Sequence, residues 1–376
     1  MNPPLKNLQS YISSPSGNNF NAIRLFLALL VIFDHSFPLA EGKDDPLLVV
    51  SHLQLSFGEM AVCLFFFISG LLITASWFNS KSMSDYLRRR VLRIFPGYTV
   101  AMIITILIAL LFATRPFDGL PLGLGNLVDF FYLGFSSCTG NWVFPNNPFP
   151  HTANGSLWTI NFEFTCYLVV AAIGMFGFFK KRFLILVLFL GQFGYCAQVL
   201  LFKGVELVHT NRSFAYAIFL TAFLAGSCAW LWRDKIPVRS PIALLALCFL
   251  IGSIQFPPWF TLLVPLAAAY FILWIAYGFP VKSLAWCNKT DLSYGTYLYA
   301  FPIQQILAFA GVRNPWLLFA VATPVTLAVA FASWTFIEKP FLRMRSKDFS
   351  DYDPGTPPKS APRWSFTASG RKGWLG

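Results

Sequence analysis

Charged residues are scarce in this sequence. Asp, Glu, Lys and Arg together make up 12% of its 376 residues, and the mean hydropathy is +0.60. Soluble globular domains carry about 25% charged residues. The composition therefore excludes an ordinary soluble domain and indicates a protein that lies largely in a membrane.

The sequence also lacks the cysteine spacing of a disulfide framework or a zinc site. Its seven cysteines are scattered, and no pair stands at CxxC spacing. Cysteines inside apolar runs are typical of small buried side chains. We predict no metal site, because no second His or Cys stands at ligand spacing near His35, the candidate base described below.

The formal net charge of +12 could indicate a nucleic-acid-binding protein. The basic residues, however, form short patches between apolar runs, which is typical of the cytoplasmic loops of membrane proteins. We therefore predict contact with membrane lipid and no nucleic acid partner.

Ten apolar runs indicate membrane-spanning helices, although the seventh is short. A helix needs about 20 apolar residues to cross the hydrocarbon core of a bilayer. We predict an all-α polytopic membrane helix bundle with about ten transmembrane helices. The predicted spans are Ala22–Leu39, Phe57–Phe78, Gly97–Thr114, Ser156–Phe179, Phe183–Leu201, Phe214–Trp232, Ile242–Ile254, Trp259–Gly278, Leu292–Ala310 and Trp316–Ile337.

The distribution of lysine and arginine gives the orientation of the bundle. With both termini cytoplasmic, 22 of the 28 Lys and Arg residues fall inside and five outside, while Arg24 lies at a helix start. Cytoplasmic loops of membrane proteins carry such an excess. Omitting the short seventh span would place the basic tail outside, so we retain that span.

The chain divides into three parts. We predict a cytoplasmic N-terminal lead at 1–20, a transmembrane domain at 21–345 and a disordered cytoplasmic tail at 346–376, which is polar and contains Pro, Gly and Ser. The outer loop 115–155 is the longest, and loops of this length are often functional, although a structural cap is an equal alternative. Its short apolar piece Leu127–Phe135 is expected to be interfacial or re-entrant.

Three ionisable residues lie in the first span, although each charge at the centre of a bilayer costs about 2.5–3.5 kcal/mol. Arg24 lies at the inner end of this span, and Asp34 and His35 lie near its outer end. Arg24 and His35 are about 16 Å apart along a helix and about 20° apart around it, so they are predicted to share one face. Alternatively, Arg24 extends its charge to the interface and His35 is a hydrogen-bonded interior residue.

Glu163 lies about seven residues into the fourth span, or roughly 10 Å deep. His35 is expected at a comparable depth, so the two side chains could line one cavity. An interior that holds His, Asp and Glu indicates proton handling, because imidazole titrates near neutral pH and suits general-base work. The alternative for Glu163 is a structural hydrogen bond to a tyrosine or tryptophan.

A basic segment with four arginines in six positions precedes the third span. Arg90 and Arg93 are three residues apart and would share one face of a helix, where their forked guanidinium groups could bind phosphate. The alternative is a topogenic patch or one that binds lipid headgroups.

Five ordered stretches of the chain, over about residues 20–345, resemble the acyltransferase-3 family of membrane O-acyltransferases. Arg24 and His35 match the R-x10-H pair of that family. The other matching stretches are GEMAVCLFFFISGLLIT from Gly58, the RxxRIxPxY segment with Arg90, Arg93, Ile94, Pro96 and Tyr98, the SLWTxxxExxxYL segment with Ser156, Trp158, Glu163 and Tyr167, and the closing pair DLSYGTYLYAFP and SWTFIEKPFLRMR. One departure is Ala300, where many relatives carry histidine.

The resemblance implies transfer of an acyl group, usually acetyl from acetyl-CoA, to hydroxyls of cell-surface glycans, with the R-x10-H pair essential. We expect an acetyl-CoA-dependent O-acetyltransferase in the inner membrane of a bacterium, acting on an extracytoplasmic or lipid-linked polysaccharide such as an exopolysaccharide. On this interpretation Arg24, Arg90 and Arg93 anchor the phosphates of cytoplasmic acetyl-CoA, and its pantetheine arm extends outward along the first span.

His35 is then the predicted general base. Asp34 or Glu163 would orient its ring or stabilise its cation, and we favour Glu163 because adjacent helix residues point about 100° apart. The sequence leaves open whether the acyl group moves directly or through an acyl-imidazole.

The competing class is a proton-coupled transporter or exporter of a sugar-like substrate, in which intramembrane His, Asp and Glu serve proton coupling. Inverted repeats and paired broken helices would favour that class, and neither is evident in the sequence. A third interpretation is an acyltransferase that acts on an amine or moves a succinyl group.

Overall fold

The protein is an all-α polytopic membrane bundle. Its computed structural model describes residues 7–13, 18–114, 143–278 and 290–344. Within these ranges the regular structure is helical, and the only β pairing consists of two isolated bridges. The expectations for Leu127–Phe135, for most of the loop 115–155 and for the tail 346–376 fall on residues outside the described ranges.

Thirteen helices make up the described part of the bundle, together with a 3-10 turn at Phe178–Lys180. In chain order they are α1 (Leu8–Ile12), α2 (Phe20–Glu41), α3 (Pro46–Val50), α4 (Phe57–Phe78), α5 (Met83–Leu111), α6 (Trp158–Met175), α7 (Arg182–Lys203), α8 (Leu207–Thr210), α9 (Arg212–Leu231), α10 (Ser240–Ser253), α11 (Trp259–Gly278), α12 (Ser293–Phe309) and α13 (Pro315–Met344).

Eight of these helices are long and apolar enough to cross a bilayer: α2, α4, α5, α6, α7, α9, α11 and α13. The shorter α10 and α12 correspond to the predicted seventh and ninth spans. The predicted fold class is confirmed, while the total of ten spans and the cytoplasmic placement of both termini stay predictions. We call the N-terminal end of α2, which is predicted to face the cytoplasm, its inner end.

The third long helix begins earlier than the predicted span Gly97–Thr114. α5 starts at Met83, because the side chain of Ser82 accepts a hydrogen bond from the backbone N–H of Asp85. One turn later Arg89 forms an ion pair with Asp85, with 2.7 Å between Nη2 and Oδ2. A cap and an i,i+4 pair of this kind stabilise a first turn. The basic segment is therefore helical and continuous with the span.

Two glycines allow α4 and α9 to approach closely. A Cβ atom at Gly70 would lie 1.9 Å from the carbonyl oxygen of Phe223, and one at Gly226 would lie 2.0 Å from that of Phe67. Helices in lipid associate through such close packing of small residues, because lipid tails are as apolar as the side chains. The α4–α9 contact thereby forms a rigid centre beside α2.

The residues before α6 fold into the bundle. Asn154 is fully buried, and its Nδ2 donates to the carbonyl oxygen of Leu298, 3.0 Å away, in the middle of α12. Nearer the end of α12, Gln305 donates to the carbonyl oxygens of Phe149 and Thr152 at 2.9 and 2.7 Å. α6 therefore begins level with the middle of α12, and its first turns lie deeper than the sequence predicted.

Candidate functional site

Two predicted donor-binding arginines meet at one carboxylate. Nη1 of Arg24, from the inner end of α2, lies 3.0 Å from Oδ2 of Asp291. Nη2 of Arg93, from α5, lies 2.5 Å from the same oxygen. Nη1 of Arg93 also lies 3.8 Å from Oε2 of Glu338 in α13. We call these four residues the Arg24 cluster.

Asp291 lies two residues before the start of α12, and hydrogen bonds from Ser293 hold its carboxylate in place. Its Oδ1 accepts hydrogen bonds from the backbone N–H and the hydroxyl of Ser293, at 3.2 and 2.6 Å. Burial alone would raise the pKa of Asp291, but the charges of Arg93 and Arg24 outweigh burial and hold this pKa below its usual range. Asp291 is therefore a permanent carboxylate between two permanent cations.

Arg90 points away from the Arg24 cluster. Its Nη2 donates to the hydroxyl of Ser76 at 3.3 Å, and its guanidinium lies 5.9 and 5.8 Å from the ring centroids of Tyr86 and Tyr167. Arg90 thus contacts α4 and α6, whereas Arg93 contacts α12 and α13. The two guanidinium groups expected on one face therefore have different partners, because each long side chain follows a different neighbouring helix. That Arg90 binds phosphate stays a prediction.

A small, mostly apolar cavity with a few polar groups adjoins the Arg24 cluster. Its volume is about 50 Å³, and its lining combines polar groups with apolar and aromatic side chains. The lining residues are Arg24, Val62, Phe65, Phe66, Ser69, Thr159, Ile160, Glu163, Ser293, Tyr294 and Tyr297. This volume holds a few water-sized molecules, so a larger guest requires side chains to move.

Glu163 lies in this cavity rather than beside His35. Its Oε1 accepts hydrogen bonds from Ser69, at 2.9 Å, and from Tyr167. The predicted pairing of Glu163 with His35 is not what the structure shows, because α6 begins deep in the bundle and carries Glu163 toward the level of Arg24. The structural alternative, a hydrogen bond to a tyrosine, describes the observed contact.

His35 lies at the other end of α2. Its ring packs edge-on against Phe301 of α12, with 5.1 Å between centroids. Nε2 lies 3.9 Å from Oδ2 of Asp34, and Nδ1 is buried with no hydrogen-bond partner among the described residues. Asp34, which sequence geometry had disfavoured, is therefore the carboxylate near His35, and the imidazole keeps a ring nitrogen available for a proton.

The position before Phe301 is occupied by a buried alanine. Ala300 packs with Ile32 and Ala322 in a small apolar cluster. The histidine that many relatives carry at this position has no counterpart here, so α12 supplies an aromatic ring to His35 and no second imidazole.

Asp34 is held at the N-terminus of α4, beside the hydroxyl of Ser56 and the backbone N–H of Gly58. A Cβ atom at Gly58 would lie 2.4 Å from Oδ2 of Asp34, so only glycine leaves room for this carboxyl group. The positive end of a helix dipole favours a carboxylate there.

Asp45 is the second carboxyl group at this end and contacts Asp34. Its Oδ1 accepts from the backbone N–H of Leu47 and caps α3, while its Oδ2 is buried and has no hydrogen-bond partner among the residues that the structure describes. Burial and the Asp34 carboxylate raise the pKa of Asp45 to about 7. One shared proton between the two carboxyl groups satisfies both. We call Asp34, His35, Asp45 and Phe301 the His35 cluster.

Arg24 and His35 share a face of α2 but not a cavity. Both contact α12, Arg24 through Asp291 at its start and His35 through Phe301 further along. Between them the same face carries Ala28 and Val31, which are both buried. The predicted common face is confirmed, whereas the 50 Å³ cavity includes Arg24 and stops short of His35.

Three site residues carried no predicted role: Asp45, Asp291 and Glu338. Asp291 and Glu338 lie in the two C-terminal stretches that carried the family resemblance, and an acidic residue beside an apolar run is the signal that could have identified them. Among the described residues, no three His, Cys, Asp or Glu side chains are grouped as they would be around a metal ion.

These features define a polytopic membrane protein with ionisable groups buried at both ends of one helix. The chain belongs to the acyltransferase-3 family, since the family profile, described as an acyltransferase domain, matches residues 18–335. Its class of activity is therefore acyl transfer.

Two curated proteins are similar over nearly their full length. Nodulation protein 10 of Rhizobium leguminosarum bv. viciae is 27% identical over 367 residues, which cover 89% of this chain and 95% of that protein. The O-acetyl transferase of Shigella phage Sf6 is 26% identical over 343 residues, which cover 89% of this chain and 98% of that protein. No solved structure matches the chain.

Proposed function

We propose that the protein transfers an acyl group, typically acetyl, from cytoplasmic acyl-CoA to a hydroxyl group of an extracytoplasmic or lipid-linked polysaccharide, within the inner membrane of a bacterium. Membership of the acyltransferase-3 family supports the acyl transfer, and the similar phage protein named O-acetyl transferase supports a hydroxyl acceptor. The observation that carries the proposal is the placement of Arg24 and His35 at opposite ends of one face of α2.

Arg24 and Arg93 form the donor site in this proposal. Each guanidinium has five N–H donors, and Asp291 and Glu338 occupy only part of them. The remaining donors suit the diphosphate and 3′-phosphate of acyl-CoA, because guanidinium groups bind phosphate through paired hydrogen bonds. Arg24 also lines the adjoining cavity, so phosphates bound by Arg24 would lie next to the space that the pantetheine arm would enter.

His35 acts as the general base. As the acceptor hydroxyl oxygen attacks the thioester carbonyl, the C–O bond forms, the C–S bond breaks and the hydroxyl proton passes to His35. The imidazolium then returns this proton to the departing CoA thiolate, so the reaction releases no net proton. Asp34, 3.9 Å from Nε2, stabilises the imidazolium while it exists.

In this proposal, side chains between the cavity and His35 must move before the pantetheine arm can reach His35. Phe65 and Val62 narrow the cavity next to Arg24, and Val31 lies between that cavity and His35. Side-chain rotation of these apolar residues would let the thioester advance along α2. Glu163 lies on this path, and its carboxylate can accept a hydrogen bond from an amide N–H of the pantetheine arm.

The test is a transfer assay with the purified full-length protein in liposomes. Radiolabelled acetyl-CoA and a panel of glycans are supplied, and both thioester loss and alkali-labile acetyl ester on the glycan are measured. We expect thioester loss only with an acceptor present. Movement of a glycan across the liposome membrane without thioester loss would instead establish the transporter class. Exchange of label between free CoA and acetyl-CoA without acceptor would show an acyl-enzyme.

A further inference from the structure

We propose that Asp291 is a positioning residue of the donor site, which holds Arg24 beside Arg93 and keeps it from pairing with Glu163 across the cavity. This inference rests on the proposed function, because it takes Arg24 and Arg93 as the groups that bind the donor phosphates.

The geometry gives Asp291 control over the spacing of the two guanidinium groups. A single oxygen, Oδ2, contacts Nη1 of Arg24 and Nη2 of Arg93. The other oxygen is fixed to the first turn of α12 by two hydrogen bonds from Ser293. Since the carboxylate cannot turn without losing those bonds, it fixes two cations from different helices at a separation that one phosphate group can bridge.

Arg24 has a competing anion in the cavity that it lines. Of the described lining residues, Glu163 is the acidic one. In the structure Arg24 binds Asp291, while Oε1 of Glu163 is held by Ser69 and Tyr167. Without the charge on Asp291, Arg24 is attracted to Glu163 within the cavity, and the remaining competing carboxylate is Glu338, which already pairs with Arg93. An ion pair between them would fill the cavity and remove Arg24 from the phosphates.

Arg93 depends less on Asp291 than Arg24 does. The guanidinium of Arg93 lies 5.5 Å from the centroid of the Tyr294 ring and has a second carboxylate, Glu338, at 3.8 Å. Among the described residues, Arg24 forms its ion pair with Asp291. Loss of the Asp291 charge should therefore act on the donor mainly through Arg24.

The experiment compares donor KM, acceptor KM and kcat for Asp291→Asn in the full-length protein. The amide oxygen of Asn can still accept from Ser293, so the variant removes the charge and keeps the shape. We expect donor KM to rise about tenfold, with kcat and acceptor KM nearly unchanged, as for loss of one charge-assisted contact. Asp234→Asn is the matched control, because Asp234 is half exposed and pairs with Arg182 and Lys235, which lie outside the Arg24 cluster. This variant should leave all three constants unchanged.

Double variants show whether Asp291 acts through Arg24. In an Arg24→Ala background Asp291→Asn should have no further effect on donor KM, because residues that act as one unit are non-additive. Glu163→Gln added to Asp291→Asn should lower donor KM again, because the competing anion is gone.

The outcomes separate this inference from the proposed function. If Arg24→Ala leaves donor KM unchanged, the donor site itself is wrong. If Arg24→Ala raises donor KM while Asp291→Asn does not, or if the two effects simply multiply, only the role of Asp291 is overturned. Should Asp291→Asn fail to fold, Ser293→Ala loosens the same carboxylate without changing charge, and donor KM should rise about threefold; an unchanged value would also overturn the proposal.

Discussion

Ionisable groups are buried at both ends of α2, but they are stabilised there in different ways. At the inner end, the charges of Arg24 and Arg93 are balanced by the carboxylates of Asp291 and Glu338. At the outer end, a buried ring nitrogen of His35 has no hydrogen-bond partner in the described part of the chain. A guanidinium is charged at every accessible pH and must be paired when buried, whereas imidazole can be buried in its neutral form.

This difference matches the chemistry that acyl transfer needs at each end. In the proposed function the inner end binds phosphates, and the Arg24 cluster has guanidinium N–H donors that its two carboxylates leave unoccupied. In the proposed function the outer end takes up a proton and returns it, and the His35 cluster places an imidazole next to a carboxylate. Variants at the inner end should therefore change donor KM, and variants at the outer end should change kcat.

The largest expected effect is that of His35→Ala. We expect kcat to fall by about 10²–10⁴-fold, the usual contribution of a positioned general base, while donor binding stays near the wild-type value. Binding of CoA to the purified variant and the initial rate of glycan acetylation check this. His52→Ala is the matched control, because His52 lies on the surface with Gln255 as its partner, 2.9 Å away. A His35→Ala enzyme with the wild-type rate would remove the base from the mechanism.

Arg93→Ala and Arg90→Ala test which of these two arginines of α5 binds the donor at the inner end. Loss of a charge-assisted hydrogen bond of about 1.5–3 kcal/mol should raise the donor KM of Arg93→Ala about 10–100-fold. Arg90 is buried against Tyr86 and Tyr167, so Arg90→Ala should lower the yield of folded protein and change the donor KM of the folded fraction little. Equal rises of donor KM in both variants would restore the common phosphate site predicted from the sequence.

A smaller effect is expected from two glycine substitutions that disturb one end each. A Cβ atom at Gly58 would displace Asp34, and one at Gly97 would lie 2.7 Å from the Tyr294 ring beneath Arg93. Since the obstructing atoms belong to side chains, the fold should persist at a cost of about 1–3 kcal/mol. We expect Gly58→Ala to lower kcat and Gly97→Ala to raise donor KM, each by about an order of magnitude or less.

Gly191→Ala is the control for both glycine variants, because no heavy atom outside its own helix lies within 4 Å of the added Cβ. It should behave as the wild-type enzyme. If Gly58→Ala changed donor KM and Gly97→Ala changed kcat, the separation of the two ends would be wrong.

The features predicted correctly from the sequence are those that depend on one helix at a time. Hydropathy identified the long helices, and the period of 3.6 residues placed Arg24 and His35 on one face, because both lie in the continuous helix α2. The partners of these residues come from other parts of the chain. Asp291 is 267 positions from Arg24, and no local pattern can report such a contact.

The two incorrect geometric expectations have the same origin. Glu163 was placed near His35 by counting from the start of a span, but residues before α6 are drawn into the bundle by Asn154 and Gln305. Arg90 and Arg93 were placed together by their spacing, yet each guanidinium follows the neighbouring helix that offers it partners. Depth and side-chain direction are set by packing between helices, which the sequence alone does not determine.

The smallest expected effect concerns stability rather than rate, and it arises at the outer end. Burial and the Asp34 carboxylate raise the pKa of Asp45 from its ordinary value of 3.8 to about 7. Between these two pH values the folded protein keeps a proton that the unfolded chain has lost, so stability falls as pH rises, by up to about 1.4 kcal/mol per pH unit.

Asp45→Asn should reduce this pH dependence, because asparagine still caps α3 but does not titrate. The measurement is Tm in detergent at pH 5 and pH 8, and the difference between them should be smaller in Asp45→Asn than in the wild type. Part of the difference remains because of His209: burial lowers its pKa, but the hydrogen bond and charge of Glu59, the Leu53 carbonyl and the charge of Asp44 together raise it. Glu59 and His35 are further ionisable side chains near the carboxyl pair. Asp44→Asn removes the same charge from an exposed neighbour that acts on His209, so it should change the difference less than Asp45→Asn does. If both variants behave alike, net charge and not the carboxyl pair sets the response.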